Sequence, residues 1–183
     1  MINILQSFFQ NDIDQPANAW FLANRTDFGE AIFSIITFFG NWQFLLPVIA
    51  VIIWVLFKKN RKEFIIPFGL TILGAETVTF LGKMMFHRSR PLFAVFHETD
   101  FSFPSGHATI AVAFYGYLAY ILARSAKKRY RWLIISGAIL IAGLIGYSRL
   151  YLGVHYVSDI LAGYLIGSTA LIIGTNLRIN LKK

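Results

Sequence analysis

The chain contains no cysteine. Disulfides, thiolate metal sites and cysteine nucleophiles are therefore excluded. Charge is also scarce: Asp, Glu, Lys and Arg make up 14% of 183 residues, against about 25% in a soluble domain. Acids are the rarer sign, nine against seventeen basic residues. No internal repeat, low-complexity tract or polar linker divides the chain, and its length suits one domain. What fills it instead is apolar, at 56% hydrophobic residues. The formal net charge of +8 does not point to nucleic acid, because the basic residues sit in short clusters between long apolar runs.

Five apolar stretches follow one another. They run from Ala31 to Phe57 (broken at Gly40 and Asn41), Phe64 to about Met85, about Ala108 to Ala123, Trp132 to about Tyr147, and about Ile160 to Leu177. Crossing a bilayer takes about 20 helical residues, so several reach that length only if polar residues at one end continue the helix. Backbone groups in lipid must be paired internally, which predicts an all-α, polytopic transmembrane bundle over residues 31–183. The first ten residues, MINILQSFFQ, are apolar but uncharged, short for a span and without the basic start of a signal peptide. Residues 1–30 are thus expected to form an amphipathic interfacial segment. A sixth, irregular span there would have to bury Asp12 and Asp14.

Twelve of the seventeen Lys and Arg residues form three clusters: Lys58 to Lys62, Arg124 to Arg131, and Arg178 with Lys182 and Lys183. With five spans, all three fall on one face, expected to be cytoplasmic. The other basic residues are Arg25, Lys83, Arg88, Arg90 and Arg149. Arg25 and Arg88 are expected to touch headgroups or the surface, and His87 and His97 to be interfacial anchors.

Three patterned segments fall at the outer ends of spans. KMMFHRSRP carries Lys83 and Arg90, seven apart and hence on one face if the helix continues. Pro91 should turn the chain there. PSGH, Pro104 to His107, suits a helix start whose free N–H groups favour an anion. SRLYLGVHYVSD places Ser148 and Arg149 at one span's end, and His155 and Asp159 at the next span's beginning. Three cations, two histidines, a helix N-terminus and one carboxylate suit a phosphoryl group, whose transfer needs positioning and charge stabilisation. The carboxylate of Asp159, four residues from His155, can fix the imidazole tautomer and free the other nitrogen to attack. His107, on another helix, can protonate the leaving oxygen. Glu76, an acid deep in a span, either lines the floor of the site or makes an interhelical hydrogen bond. Tyr147 and Tyr151 flank the third segment, where they could touch substrate.

The pattern K-x6-RP, PSGH, SR-x5-H-x3-D resembles the type 2 phosphatidic acid phosphatase family, whose superfamily includes vanadium haloperoxidases and glucose-6-phosphatase. All eleven fixed positions occur here in order, and the resemblance covers roughly residues 31–175. It implies that His155 is the nucleophile, forming a phosphohistidine, with Asp159 orienting it and His107 as general acid. It also implies that Lys83, Arg90 and Arg149 bind phosphate oxygens, assisted by Ser105 and the Gly106 backbone. No metal or cofactor is implied. The expected substrate is a membrane lipid phosphate or diphosphate, of the phosphatidic acid, phosphatidylglycerol phosphate, undecaprenyl pyrophosphate or lipid A class. A lipid phosphotransferase using the same site and a non-catalytic binder of anionic lipid are the alternatives. The loop 92–103, with Glu98 and Asp100, is expected to shape the headgroup pocket and to disfavour a highly anionic headgroup.

Overall fold

The structure is a computed structural model that describes residues 9–177. Among the described residues every regular element is helical. A π-helical turn, Phe9–Asp14, leads into α1 (Gln15–Ala23). Then come α2 (Asp27–Phe38), α3 (Trp42–Lys58), α4 (Ile65–Phe86), α5 (Gly106–Ser125), α6 (Lys128–Tyr151) and α7 (Val157–Asn176). Five stretches are long and apolar enough to cross a membrane: Asp27–Lys58, Lys62–Phe86, Gly106–Ser125, Lys128–Tyr151 and Val157–Asn176. The chain is an integral membrane protein, and its fold is the all-α bundle expected. The opening residues before Phe9, and Arg178, Lys182 and Lys183 of the third basic cluster, lie outside the described residues.

The first apolar stretch breaks where its sequence does. Gly40 and Asn41 separate α2 from α3, and the freed carbonyl of Phe39 accepts a hydrogen bond from the Tyr115 hydroxyl at 2.8 Å. Pairing such a group from a neighbouring helix makes a broken span tolerable in lipid. A core of Leu45, Leu56, Phe68, Ile72, Phe114 and Tyr117 ties α3, α4 and α5 together. The α4–α5 contact also holds the Thr79 and Thr109 hydroxyls 3.1 Å apart, a type of link worth about 0.6 kcal/mol between membrane helices.

Small residues bring α7 against α5. A Cβ on Gly163 would lie 2.6 Å from the Ser105 carbonyl, and one on Gly167 2.5 Å from that of Thr109. Two glycines four residues apart therefore let the two backbones touch, as small-residue motifs do in membranes. This contact seats the PSGH segment beside the start of α7. The α3–α4 and α5–α6 connections meet at the opposite end, where Arg61 Nη1 donates to Ser125 Oγ at 3.1 Å. The first two basic clusters therefore share one end of the bundle, and the patterned segments share the other.

Several local expectations are corrected. Lys83 and Arg90 do not share a continuing helix, because α4 closes at His87, which takes a left-handed conformation (φ 44°). Tyr147 and Tyr151 face away from the patterned residues, packing on Phe21 and Phe33. Arg25 does not lie free on the surface: it donates to the Phe93 carbonyl at 2.7 Å, 3.8 Å from Glu30.

Candidate active site

The cation that ends α4 and those beyond it converge through loop geometry. Lys83, on the last turn of α4, is buried. The 87–105 loop then folds back, and Arg90 Nη1 donates to the Val154 carbonyl at 2.8 Å. That bond ties the loop to the segment just before α7. Arg149, 2% exposed near the end of α6, donates to Thr37 Oγ1 at 2.9 Å. Burial of three cations this close together demands anionic partners.

Two loop acids supply them. Asp100 lies 2.9 Å from Lys83 Nζ and 2.5 Å from Arg90 Nη2. Glu98 lies 2.7 Å from Arg90 Nη2 and also pairs with Arg149. Partial burial would raise the Asp100 pKa, but the hydrogen bonds and charges of Lys83 and Arg90 win and hold it at about 2. The carboxylates of Glu98 and Asp100 thus take the positions next to the three cations that phosphate oxygens would need.

His155 lies just before α7 and is buried. Its Nδ1 is 3.3 Å from Asp159 Oδ2, which also accepts the Tyr156 N–H at 2.9 Å. The other nitrogen, Nε2, lies 3.2 Å from Arg90 Nη1. A guanidinium can only donate, so Nε2 carries a lone pair and Nδ1 the proton. Burial, reinforced by the charges of Arg149, Arg90 and Lys83 and opposed by that of Asp100, holds the imidazole pKa well below the usual 6.5. His155 is therefore neutral, with its Nε2 lone pair turned towards the cations and accepting from Arg90.

His107 stands opposite, one residue into α5. Ser105 caps that helix, its Oγ accepting the Ala108 N–H at 3.4 Å, while its own N–H donates to the Asp159 carbonyl at 3.1 Å. His107 Nε2 bonds Asn41 Oδ1 at the α2–α3 break.

These groups surround a cavity of about 400 Å³. Lys83, Arg90, Gly106, His107 and His155 line it, together with Glu98, Asp100, Glu76 and the 40–43 turn. Asp159, Ser105 and Arg149 stand behind this lining, and Arg149 is reached through Glu98. Glu76 is at the cavity wall, with Oε1 buried and unpartnered among the described residues. All eight residues selected from the sequence thus gather at one end of the bundle. Asn41, Arg88 and Asp14 were missed, and Glu98 and Asp100, expected to shape the headgroup pocket, line the cavity and pair with its cations. Arg88 is no headgroup contact: it pairs with Asp14 and Asp159, both at 2.7 Å. Asn41 left one trace in the sequence, as a lone amide interrupting an apolar run.

Residues 64–182 match the family model of the PAP2 superfamily. The chain belongs to that superfamily. Phosphatidylglycerophosphatase B of Bacillus subtilis is 39% identical over 140 residues, covering 72% of this chain and 66% of the relative. An undecaprenyl-diphosphatase of Sulfolobus acidocaldarius is 32% identical over 136 residues, covering 71% of this chain and 61% of the relative. The chain thus spans less than two thirds of the length of either. Among solved structures, a transmembrane PAP2 type phosphatidylglycerolphosphate phosphatase from Bacillus subtilis superposes with a TM-score of 0.85 at 30% identity. The overlap covers 94% of this chain and 85% of that one. LpxE of Aquifex aeolicus superposes with a TM-score of 0.73 at 25% identity, covering 90% and 95%. The PAP2 match begins at Phe64, so the π-helical turn with Asp14, and α1 to α3 with Asn41 between the last two, precede it.

Proposed function

We propose that this PAP2 member hydrolyses a lipid phosphate or lipid diphosphate through a phosphohistidine, without a metal. One observation carries the reading: a neutral His155 presents Nε2 to a cavity walled by Lys83, Arg90 and His107. The substrate phosphate displaces Glu98 and Asp100 and takes up the charges of Lys83, Arg90 and Arg149, with the Gly106 backbone assisting. His155 Nε2 attacks phosphorus as the bond to the leaving oxygen breaks, and His107 gives that oxygen its proton. Water then attacks phosphorus, losing a proton to His107, as the phosphorus–nitrogen bond breaks, returning its electron pair to His155 Nε2 and releasing phosphate. Asp159 holds the Nδ1 proton throughout, which stabilises the charge left on the imidazole.

The names of the relatives support lipid substrates of the phosphatidylglycerol phosphate and undecaprenyl diphosphate classes. Apolar spans on either side of the site favour a substrate held by the bilayer. The basic clusters at the far end favour a cytoplasmic membrane location with the site facing outward. Within the described residues, α1 (Gln15–Ala23) would then lie along the outer interface.

The test is phosphate release from a lipid panel by detergent-purified protein with a chelator present. Activity is expected in chelator, abolished by His155→Ala and strongly reduced by His107→Ala. Full activity in the His155→Ala protein would sink the mechanism. Because the chain has no cysteine, orientation can be read with single introduced ones. An impermeant thiol reagent added outside should label His97→Cys and not Lys127→Cys.

A further inference from the structure

A buried line of alternating charge runs from the N-terminal segment to His155. Asp14, 1% exposed at the end of the π-helical turn, pairs through Oδ2 with Arg88 Nη2 at 2.7 Å. Its two oxygens also accept the Ser158 hydroxyl at 2.6 Å and the Ser158 N–H at 2.9 Å. Arg88 Nη1 pairs with Asp159 Oδ1 at 2.7 Å and donates to Ser158 Oγ at 2.6 Å. The guanidinium stacks over the Tyr156 ring, 4.2 Å from its centroid. Oδ2 of Asp159 is the atom that faces His155 Nδ1.

Two carboxylates out of contact with water share this one cation. Neither is held as an anion there without it. A guanidinium fork can serve both at once, where an ammonium cannot. Arg88 does not line the cavity, so it acts on the reaction only through Asp159. We infer that Arg88 is a positioning residue that fixes the Asp159 carboxylate against His155, and that Asp14 anchors Arg88. The segment Phe9–Ala23, outside the family match, then supplies a working part of the active site. This rests on the reading of His155 as the nucleophile.

The experiment compares wild type with Arg88→Met, Arg88→Lys, Asp14→Asn and Asp12→Asn, each alone and with Asp159→Asn. The readouts are kcat and KM for lipid phosphate hydrolysis in detergent. Arg88→Met is expected to lower kcat about 10–100-fold, the scale of loss when the outer partner of a metal-bound histidine is removed. KM should stay within about twofold, since no ground-state contact is lost. Arg88→Lys should recover part of the loss. Asp14→Asn, a near-isosteric change, should lower kcat less, and exposed Asp12→Asn not at all. In the Asp159→Asn background neither Arg88→Met nor Asp14→Asn should lower kcat further. Unchanged kcat in Arg88→Met, or additive losses in that background, overturns the inference.

His155→Ala in the same series separates the two claims. If it stays active, the reading of the site fails rather than the role of Arg88. The role is then read without turnover, from the His155 Nδ1 proton in ¹⁵N-histidine-labelled protein. That proton should be hydrogen-bonded, shifted downfield, in wild type and Asp12→Asn and be lost in Arg88→Met; an unchanged proton overturns the inference.

Discussion

The two histidines of the cavity are held in opposite ways. His155 is backed by a carboxylate, which is itself fixed by a buried cation and a second carboxylate. His107 is backed by the neutral amide of Asn41. A carboxylate stabilises positive charge on the imidazole it faces, which suits a ring that must carry a phosphoryl group. An amide oxygen can only accept, so His107 Nε2 carries the proton in that bond, but no charge is added beside the ring, which suits a group that must give a proton up and take it back. On the proposed mechanism, the difference teaches that the partner, more than the ring, divides nucleophile from acid. Both partners come from separate parts of the chain, α7 in one case and the α2–α3 break in the other.

The strongest way to break this comparison is at the carboxylate. Asp159→Asn, by the precedent of a hydrolase triad, should cut kcat about 10⁴-fold. The loss should be the same for a lipid alkoxide and for a good leaving group such as p-nitrophenolate. His107→Ala should cost about 10²–10⁴-fold with the lipid substrate, the usual worth of a positioned acid. That loss should shrink sharply with p-nitrophenolate, which needs no proton. Equal losses for the two leaving groups would remove His107 from the role of acid.

Smaller changes sharpen it. Asn41→Leu removes one hydrogen bond from His107 and should lower kcat by about tenfold, with the same leaving-group dependence. In contrast, Asp100→Asn should help binding, because it removes a carboxylate that competes for Lys83 and Arg90. A part-exposed pair is worth up to about 1 kcal/mol, so KM should fall by about fivefold at most. The pH profile of kcat/KM gives a further check on His155. Protonation removes its lone pair, so activity falls with acid, but burial and three cations hold that step below the usual imidazole range. Full activity should persist as pH drops through 6.5, and a half-loss there or above would contradict the neutral, buried ring.

Most motif residues were legible in the sequence because they sit at the end of an apolar run, Arg90 in the loop beyond it being the exception. Lys83, His107, Arg149 and His155 are placed by where a span must stop. The PSGH start and the His155–Asp159 spacing needed only local geometry. Arg88 was not legible, because a basic residue in a polar loop carries no periodicity, and its partner Asp14 lies 74 residues away. Asn41 was visible as a break in a span but not as a ligand of His107, since only tertiary packing sets that contact. The sequence places Glu98 and Asp100 in the loop that shapes the headgroup pocket, but not against particular cations. Their place among the cations depends on a loop fold that composition does not encode.

The most direct test is to quench the enzyme during turnover of a phosphorus-labelled lipid substrate and map the protein-bound phosphate. The account predicts an acid-labile, base-stable adduct on the peptide carrying His155, absent from His155→Ala. Turnover without any adduct there, or an adduct on another residue, would contradict it.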